Sequence, residues 1–319
     1  MTDGCYNGSL HVLIHVRNGE LFAVNFYVSW YLGDPFYSAY DDDCALLVSI
    51  TSVARDWTIN RFPKPPKQLM IDSGGYRFAV APHEALSPGQ VLERQLNLLD
   101  GAATPTIVCA RDYPILNNSL SSSEKDKYIT QTIAYAYEMK KLIERDGLPE
   151  NVTPLAVIQG YDVDSLLYCA EELMAIGFPL YGIGSLAGLR QHNLIMERVM
   201  AVGELVGAKK LHIFGVSVVQ TVRAFRKMGI HSIDSARPAK SAAFNEIIYS
   251  NPYRRFGILE PHSAKKKRFS RQRRLDQPLP CNCPICQEDA SRILVTGKRE
   301  NIRNRALHNY YHLKRAFTN

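Results

Sequence analysis

No apolar run in this chain is long enough to cross a membrane, and Met1-Thr2-Asp3-Gly4-Cys5 shows no basic segment leading into an apolar one. The sequence therefore gives no sign of a membrane or secreted protein. It holds seven cysteines, an odd number, and Cys5, Cys44, Cys109 and Cys169 are scattered among apolar neighbours without paired spacing. That usage excludes a disulfide scaffold and fits a reducing, cytoplasmic compartment. No internal repeat is present. Nor is there a large charge excess: the net charge is +7 and the pI about 9.0, a balance that favours polyanionic partners without identifying one.

What is present is ample apolar material, 46% of 319 residues, enough for a barrel of roughly 250 residues with an appendage. Short apolar runs at Ala45–Ile50, Gln68–Ile71, Thr106–Cys109, Pro154–Ile158, Leu180–Ile183, Lys210–Phe214 and His231–Ile233 read as strands. Between them lie helical patterns at Ser87–Leu99, Ser123–Arg145, Val163–Ile176, Met196–Val206 and Val218–Lys227. Such alternation predicts a parallel sheet, and an eighth strand at Phe256–Leu259 would close an α/β (β/α)8 TIM barrel; a doubly wound open sheet is the alternative. The first forty residues, rich in aromatics from Phe22 to Tyr40, read as an edge hairpin or a barrel plug. The domain expectation is a catalytic barrel with this irregular segment over 1–250. A basic segment and a metal-binding subdomain follow over 251–319.

Near the end, Cys281-x-Cys283-x-x-Cys286 is followed after twenty-two residues by His308. Three thiolates and one imidazole complete a tetrahedral shell for Zn²⁺ and leave no position for substrate, so the metal is expected to be structural. His312, one helical turn on, is the alternative fourth ligand. Ahead of this cluster, Tyr253–Arg274 carries nine arginines and lysines, including Lys265, Lys266 and Lys267. Such a run is either a solvated loop or a track for a phosphate backbone.

In a barrel the functional side chains gather at the C-terminal ends of the strands. The polar residues that follow the apolar runs here are Asp72, Asp112, Gln159, Gly184-Ser185, Gly215 and Asp234. Two carboxylates at one mouth suit group exchange at an anomeric carbon, one attacking and the other managing the leaving group's proton. A third carboxylate beside an amide suits the edge of a purine, whose N–H groups Asp accepts and whose carbonyl Gln can address.

These residues lie in motifs with a family likeness. Ile71-Asp72-Ser73-Gly74-Gly75-Tyr76 resembles the Asp-Ser-Gly-Gly-Phe signature of tRNA-guanine transglycosylases, and Val157-Ile158-Gln159-Gly160 resembles their Val-Gln-Gly segment. Tyr181-Gly182-Ile183-Gly184-Ser185 is similar to the base-pocket turn, and Ile213-Phe214-Gly215-Val216 to the stretch before the nucleophile. Ile233-Asp234-Ser235-Ala236 resembles the nucleophile motif of the archaeal branch, and the cysteine cluster with Leu307-His308-Asn309 its zinc site. The likeness covers residues 45 to 312. It implies a pentosyltransferase in which Asp234 is the nucleophile, Asp72 the general acid and base, and Asp112, Gln159, Gly184 and Ser185 the base pocket. Structural zinc on Cys281, Cys283, Cys286 and His308 is implied, with no further cofactor, and a 7-deazaguanine such as preQ0 or preQ1 as the incoming base.

The sequence also departs from the family. Arg77 stands where bacterial members have glutamine, and Arg237-Pro238-Ala239-Lys240 only loosely matches their Pro-Thr-Arg run. The layout, without the tRNA-reading extension of archaeal members, is closest to the DNA-modifying transglycosylases of phages and bacterial islands. DNA is therefore the expected polymer and tRNA the alternative; a phage-encoded chain would work in the host cytoplasm. The likeness also allows a homodimer through the zinc region. Two non-enzymatic readings compete, an accessory partner subunit and a plain zinc-containing nucleic-acid-binding protein. Neither needs Asp72 or Asp234.

Overall fold

Residues 25–30 form a strand that sequence patterning does not single out, and it is the one that closes the sheet. The computed structural model describes residues 22–116, 119–186, 188–189, 191–258 and 273–318. Eight parallel strands form a closed barrel in chain order: β1 (Asn25–Trp30), β2 (Ala45–Ser49), β3 (Gln68–Asp72), β4 (Thr106–Cys109), β5 (Val152–Ile158), β6 (Leu180–Ile183), β7 (Leu211–Ile213) and β8 (Ser232–Ser235). Tyr27 of β1 pairs with Ala45 on one side and Asp234 on the other. Closure rules out the open sheet, and the architecture is the expected TIM barrel.

The expected eighth strand is corrected. Phe256 lies in β10 (Tyr253–Gly257), which pairs antiparallel with β9 (Glu246–Ser250) and parallel with β11 (Arg273–Arg274) in a separate three-stranded sheet; Leu259 falls outside the described residues. The reason is visible in β1, where Phe26, Val28 and Trp30 face the outer layer while Tyr27 and Ser29 face the barrel interior. A polar inward residue breaks the continuous apolar run by which a parallel strand is recognised. The N-terminal aromatics are thus a strand and the packing beyond it, with Tyr37 fully buried and Trp30 against Phe36, Trp57 and Phe62.

Helices α1 (Gly75–Val80) and α2 (Pro88–Leu99) follow β3, while α3 (Ser122–Asp146), α4 (Val163–Ile176), α5 (His192–Val206) and α6 (Val219–Met228) follow β4 to β7. Helices α2, α3 and α4 begin at capping boxes on Ser87, Ser121 and Asp162, which satisfy N–H groups that a helix start leaves free. Two apolar layers result. Met70, Ile107, Leu155 and Val157 fill the barrel interior, and a larger shell lies between strands and helices.

After β8 come α7 (Arg237–Ala243), the small sheet, α8 (Pro284–Asp289) and α9 (Arg299–Thr318). Fully buried Arg305 of α9 ties this region together: it donates to Ala242 O of α7, Asn245 Oδ1, Ile293 O and Val295 O. Asn309 accepts from Ile248 N and donates to Glu246 O, fixing β9 to the same helix. Among the described residues no helix is long and apolar enough to cross a membrane.

Candidate active site and metal centre

The strand ends bring Asp72, Asp112, Gln159, Ser185 and Asp234 to one mouth. Asp234, on β8, is held from two directions: Ser29 Oγ donates to Oδ2 at 2.9 Å and the Gly215 N–H donates to Oδ1 at 2.7 Å. His212 of β7 sits below it, its Nε2 3.6 Å from Oδ1. Asp72 is partly exposed and accepts the Gly74 N–H at 3.0 Å. Burial raises its carboxyl above the usual range and the charge of Asp234 adds to this, against hydrogen bonds from Ser49 and the Gly74 backbone. Asp72 therefore keeps a proton to higher pH than an ordinary aspartate, as a general acid requires.

Asp112 is more strongly perturbed. Burial, then the charge of Asp72, pushes its carboxyl up to about 7, although Ser73 Oγ donates to Oδ1 at 3.0 Å and Gln159 Nε2 to Oδ2 at 2.6 Å. The Gln159 amide is oriented in turn by the Ser185 hydroxyl, which donates to Oε1 and accepts the Gly160 N–H. Two glycines make room for this relay. A Cβ on Gly75 would stand 2.2 Å from Asp112 Oδ1, and one on Gly184 2.3 Å from Gln159 Nε2, so the motif glycines are there because the polar side chains lie against the backbone. The Gly184 N–H is already donated to Ile158 O, leaving only its carbonyl for a ligand. Arg77 points outward, bridging Glu84 at 2.7 and 2.5 Å.

The Asp112 environment predicts a stability effect of definite sign. The unfolded carboxyl ionises near 3.8 and the native one near 7, so stability falls as pH rises between these values and the full cost, on the order of 4 kcal/mol, is present above pH 7. Asp112→Asn should raise Tm at pH 8 by at least about 4 °C and change it little at pH 4. Asparagine can keep its oxygen toward Gln159 Nε2 and give an N–H to the Ser73 hydroxyl, which can accept as well as donate. Scanning calorimetry at the two pH values checks this; an equal shift at both would remove the electrostatic explanation.

The metal ligands also converge. Among the described residues Cys281, Cys283, Cys286 and His308 place their ligand atoms within 4.8 Å of one another. His308 Nδ1 lies 3.7, 3.4 and 3.3 Å from the three sulfurs, close to the roughly 3.6 Å edge of a tetrahedron built on ordinary Zn–S and Zn–N bonds. Its Nε2–H donates to Ile248 O at 3.0 Å, which turns the Nδ1 lone pair to the sulfurs. The backbone N–H groups of Cys283 and Cys286 point at Cys281 Sγ and Cys283 Sγ. The donor set fits structural Zn²⁺, whose role would be to staple α8 and its loop to α9. His312 is not the fourth ligand: its Nδ1 accepts the Ser250 N–H at 3.1 Å, so Nε2 carries the proton and donates to Cys281 Sγ at 3.0 Å.

Residues 49–319 match the family model described as queuine tRNA-ribosyltransferase. The chain belongs to that family. Comparison with curated proteins returned no match. Members of the family are pentosyltransferases that exchange guanine for a modified base, and this chain is accordingly a guanine transglycosylase acting on nucleic acid. Sequence reasoning missed three residues of this transglycosylase's mouth, Ser29, Ser73 and His212. Ser73 stood inside a recognised motif. Ser29 and His212 had only the faint signal of a polar residue in a strand.

Proposed function

We propose that this transglycosylase exchanges guanine, in DNA in the first instance, for a 7-deazaguanine such as preQ0 through a covalent glycosyl ester on Asp234. The observation that carries the reading is the meeting at one mouth of Asp234 and Asp72, whose carboxyl burial holds above the usual range, beside the Asp112–Gln159–Ser185 relay. In the first half-reaction a carboxylate oxygen of Asp234 attacks C1′. The C1′–N9 bond breaks, its electron pair leaves with guanine, and Asp72 gives the base a proton. In the second, the incoming base returns a proton to Asp72 and attacks C1′ through N9, and the ester electron pair returns to Asp234. Asp112 accepts purine N–H groups while Gln159, locked by Ser185, holds the amide beside it. Preference for DNA rests on the likeness to the DNA-modifying branch. The matched family, queuine tRNA-ribosyltransferase, favours tRNA instead.

Support for a polyanionic partner comes from an open groove lined by His192, Gln220, Arg223, Lys227 and Tyr253. Neither Arg223 nor Lys227 has an ion-pair partner among the described residues. Most of the basic run, including Lys265–Lys267, lies outside the described residues. Replacing Lys265, Lys266 and Lys267 with alanine should weaken nucleic-acid binding and make the plot of log K against log salt shallower by up to about 3. An unchanged slope would make the run a solvated loop. A homodimer through the zinc region and a cytoplasmic location belong to the same reading; analytical centrifugation tests the first.

The deciding experiment is nucleoside mass spectrometry on DNA and on tRNA from cells that express the protein and are supplied with preQ0. A 7-deazaguanine nucleoside in DNA supports the reading, one confined to tRNA transfers the same chemistry to tRNA, and none in either removes it.

A further inference from the structure

We propose that His212 is a positioning residue for Asp234, presenting Nε2–H to the free carboxylate and receiving its charge when the glycosyl ester is broken. The inference rests on the reading of Asp234 as the nucleophile. His212 is completely buried, lies on β7 directly beside Ser232 of β8, and has its Nδ1 2.8 Å from Ser232 Oγ. Its Nε2 has no hydrogen-bond partner, and Asp234 Oδ1 lies 3.6 Å from it. A buried ring nitrogen without a partner is costly, so a use for it is expected.

The proton's place follows from the neighbours. If Nδ1 carried the only proton, the Nε2 lone pair would face a carboxylate, a repulsive arrangement. With the proton on Nε2, the Ser232 hydroxyl rotates to donate to Nδ1 and the ring presents N–H to Asp234. A doubly protonated ring does the same. The rings of Phe214 and Tyr27 stand edge-on at 4.3 and 6.1 Å and wall the imidazole from solvent. Other groups acting on Asp234 include Ser29 Oγ from β1, the Gly215 N–H after β7 and the charge of Asp72 from β3. His212 is thus the donor that comes from beneath.

Its effect on the two half-reactions is opposite. The free carboxylate is charged and the ester is not, so an N–H aimed at Asp234 stabilises the former more. Removing that N–H leaves attack on C1′ unhindered but slows ester breakdown, because the returning charge has lost a donor. The ratio of covalent adduct to free enzyme at fixed free guanine must rise. A side chain that only filled space would lower both steps together.

The test compares wild type, His212→Asn and His212→Gln on one guanine-containing oligonucleotide. Asparagine can replace Nδ1 toward Ser232 but is too short to reach Asp234; glutamine places an N–H near the position of Nε2. Adduct is read on a denaturing gel at fixed added guanine, alongside kcat and KM for exchange. His212→Asn should raise the adduct ratio about tenfold and lower kcat about tenfold without raising KM for the polymer, the scale of the hydrogen bond to a charged group that the 3.6 Å contact becomes as charge returns to Asp234. His212→Gln should restore both toward wild type. Equal behaviour of the two variants, or an unmoved ratio in His212→Asn, overturns the inference. Should His212→Asn not fold, His212→Phe fills the same cage without an N–H and the same ratio decides. Wild type that forms no adduct overturns the nucleophile reading instead.

Discussion

Asp234→Asn should leave no denaturation-resistant adduct with a guanine-containing polymer and should lower base exchange by at least about 10⁴-fold, the scale lost when a triad nucleophile's partner or the nucleophile itself is removed. The amide is isosteric with the carboxylate and still offers an oxygen to the Gly215 N–H, which donates to Oδ1 at 2.7 Å in wild type. The fold should therefore survive, and Tm should stay within a few degrees. What disappears is the negative charge that lets the oxygen attack C1′ and leave again as a carboxylate. Asp72→Asn should act differently, costing on the order of 10²–10⁴-fold in turnover through lost proton transfer, with the nucleophile in place. The same gel run with DNA and with tRNA identifies the polymer. Full exchange by Asp234→Asn would remove this carboxylate from the centre of the chemistry.

Loss of the metal should have the second-largest effect. Cys283 is fully buried and its sulfur lies 3.4 Å from His308 Nδ1, so Cys283→Ser deletes one quarter of the ligand shell. Structural zinc contributes about 10–16 kcal/mol of apparent binding free energy in small zinc modules, and that free energy is folding free energy. The variant should purify with little metal where wild type holds about one ion per chain, and chelation should open the loop around 281–298 to proteolysis. The damage should spread. Arg305 on α9 holds the carbonyl of Ala242 in α7, the helix that begins at Arg237, three residues beyond Asp234. His308→Ala should lose metal, while His312→Ala should keep it with affinity weakened roughly 10–100-fold, because His312 supports Cys281 and does not bind the ion itself. Metal-free protein with an unchanged Tm would end this account.

Local pattern was sufficient for much of the protein. The apolar runs at 45–50, 68–71, 106–109, 154–158, 180–183, 210–214 and 231–233 all fall on barrel strands, because a strand buried on both faces must be apolar along its length. Polar residues within three positions of the ends of five of these runs then had to lie at the mouth, which is why Asp72, Asp112, Gln159, Ser185 and Asp234 could be named together. The cysteine spacing was legible for a similar reason: one turn supplies three ligands, and short-range geometry fixes their reach.

Tertiary structure decided what depends on distant partners. Whether Asn25–Trp30 or Phe256–Leu259 closed the barrel turned on pairing with both β2 and β8, and the Ser29 that disguises β1 is there for Asp234, 205 positions away. His308 and His312 are indistinguishable by spacing; the backbone group that each ring's other nitrogen meets, Ile248 O or Ser250 N, determines which one offers a lone pair to metal. His212 gave no more than the faint signal of a polar residue in an apolar strand, since its meaning lies in a carboxylate on the neighbouring strand. Periodicity and burial are properties of a segment and are written in it, whereas hydrogen-bond partnership belongs to two segments at once and exists only after the chain has brought them together.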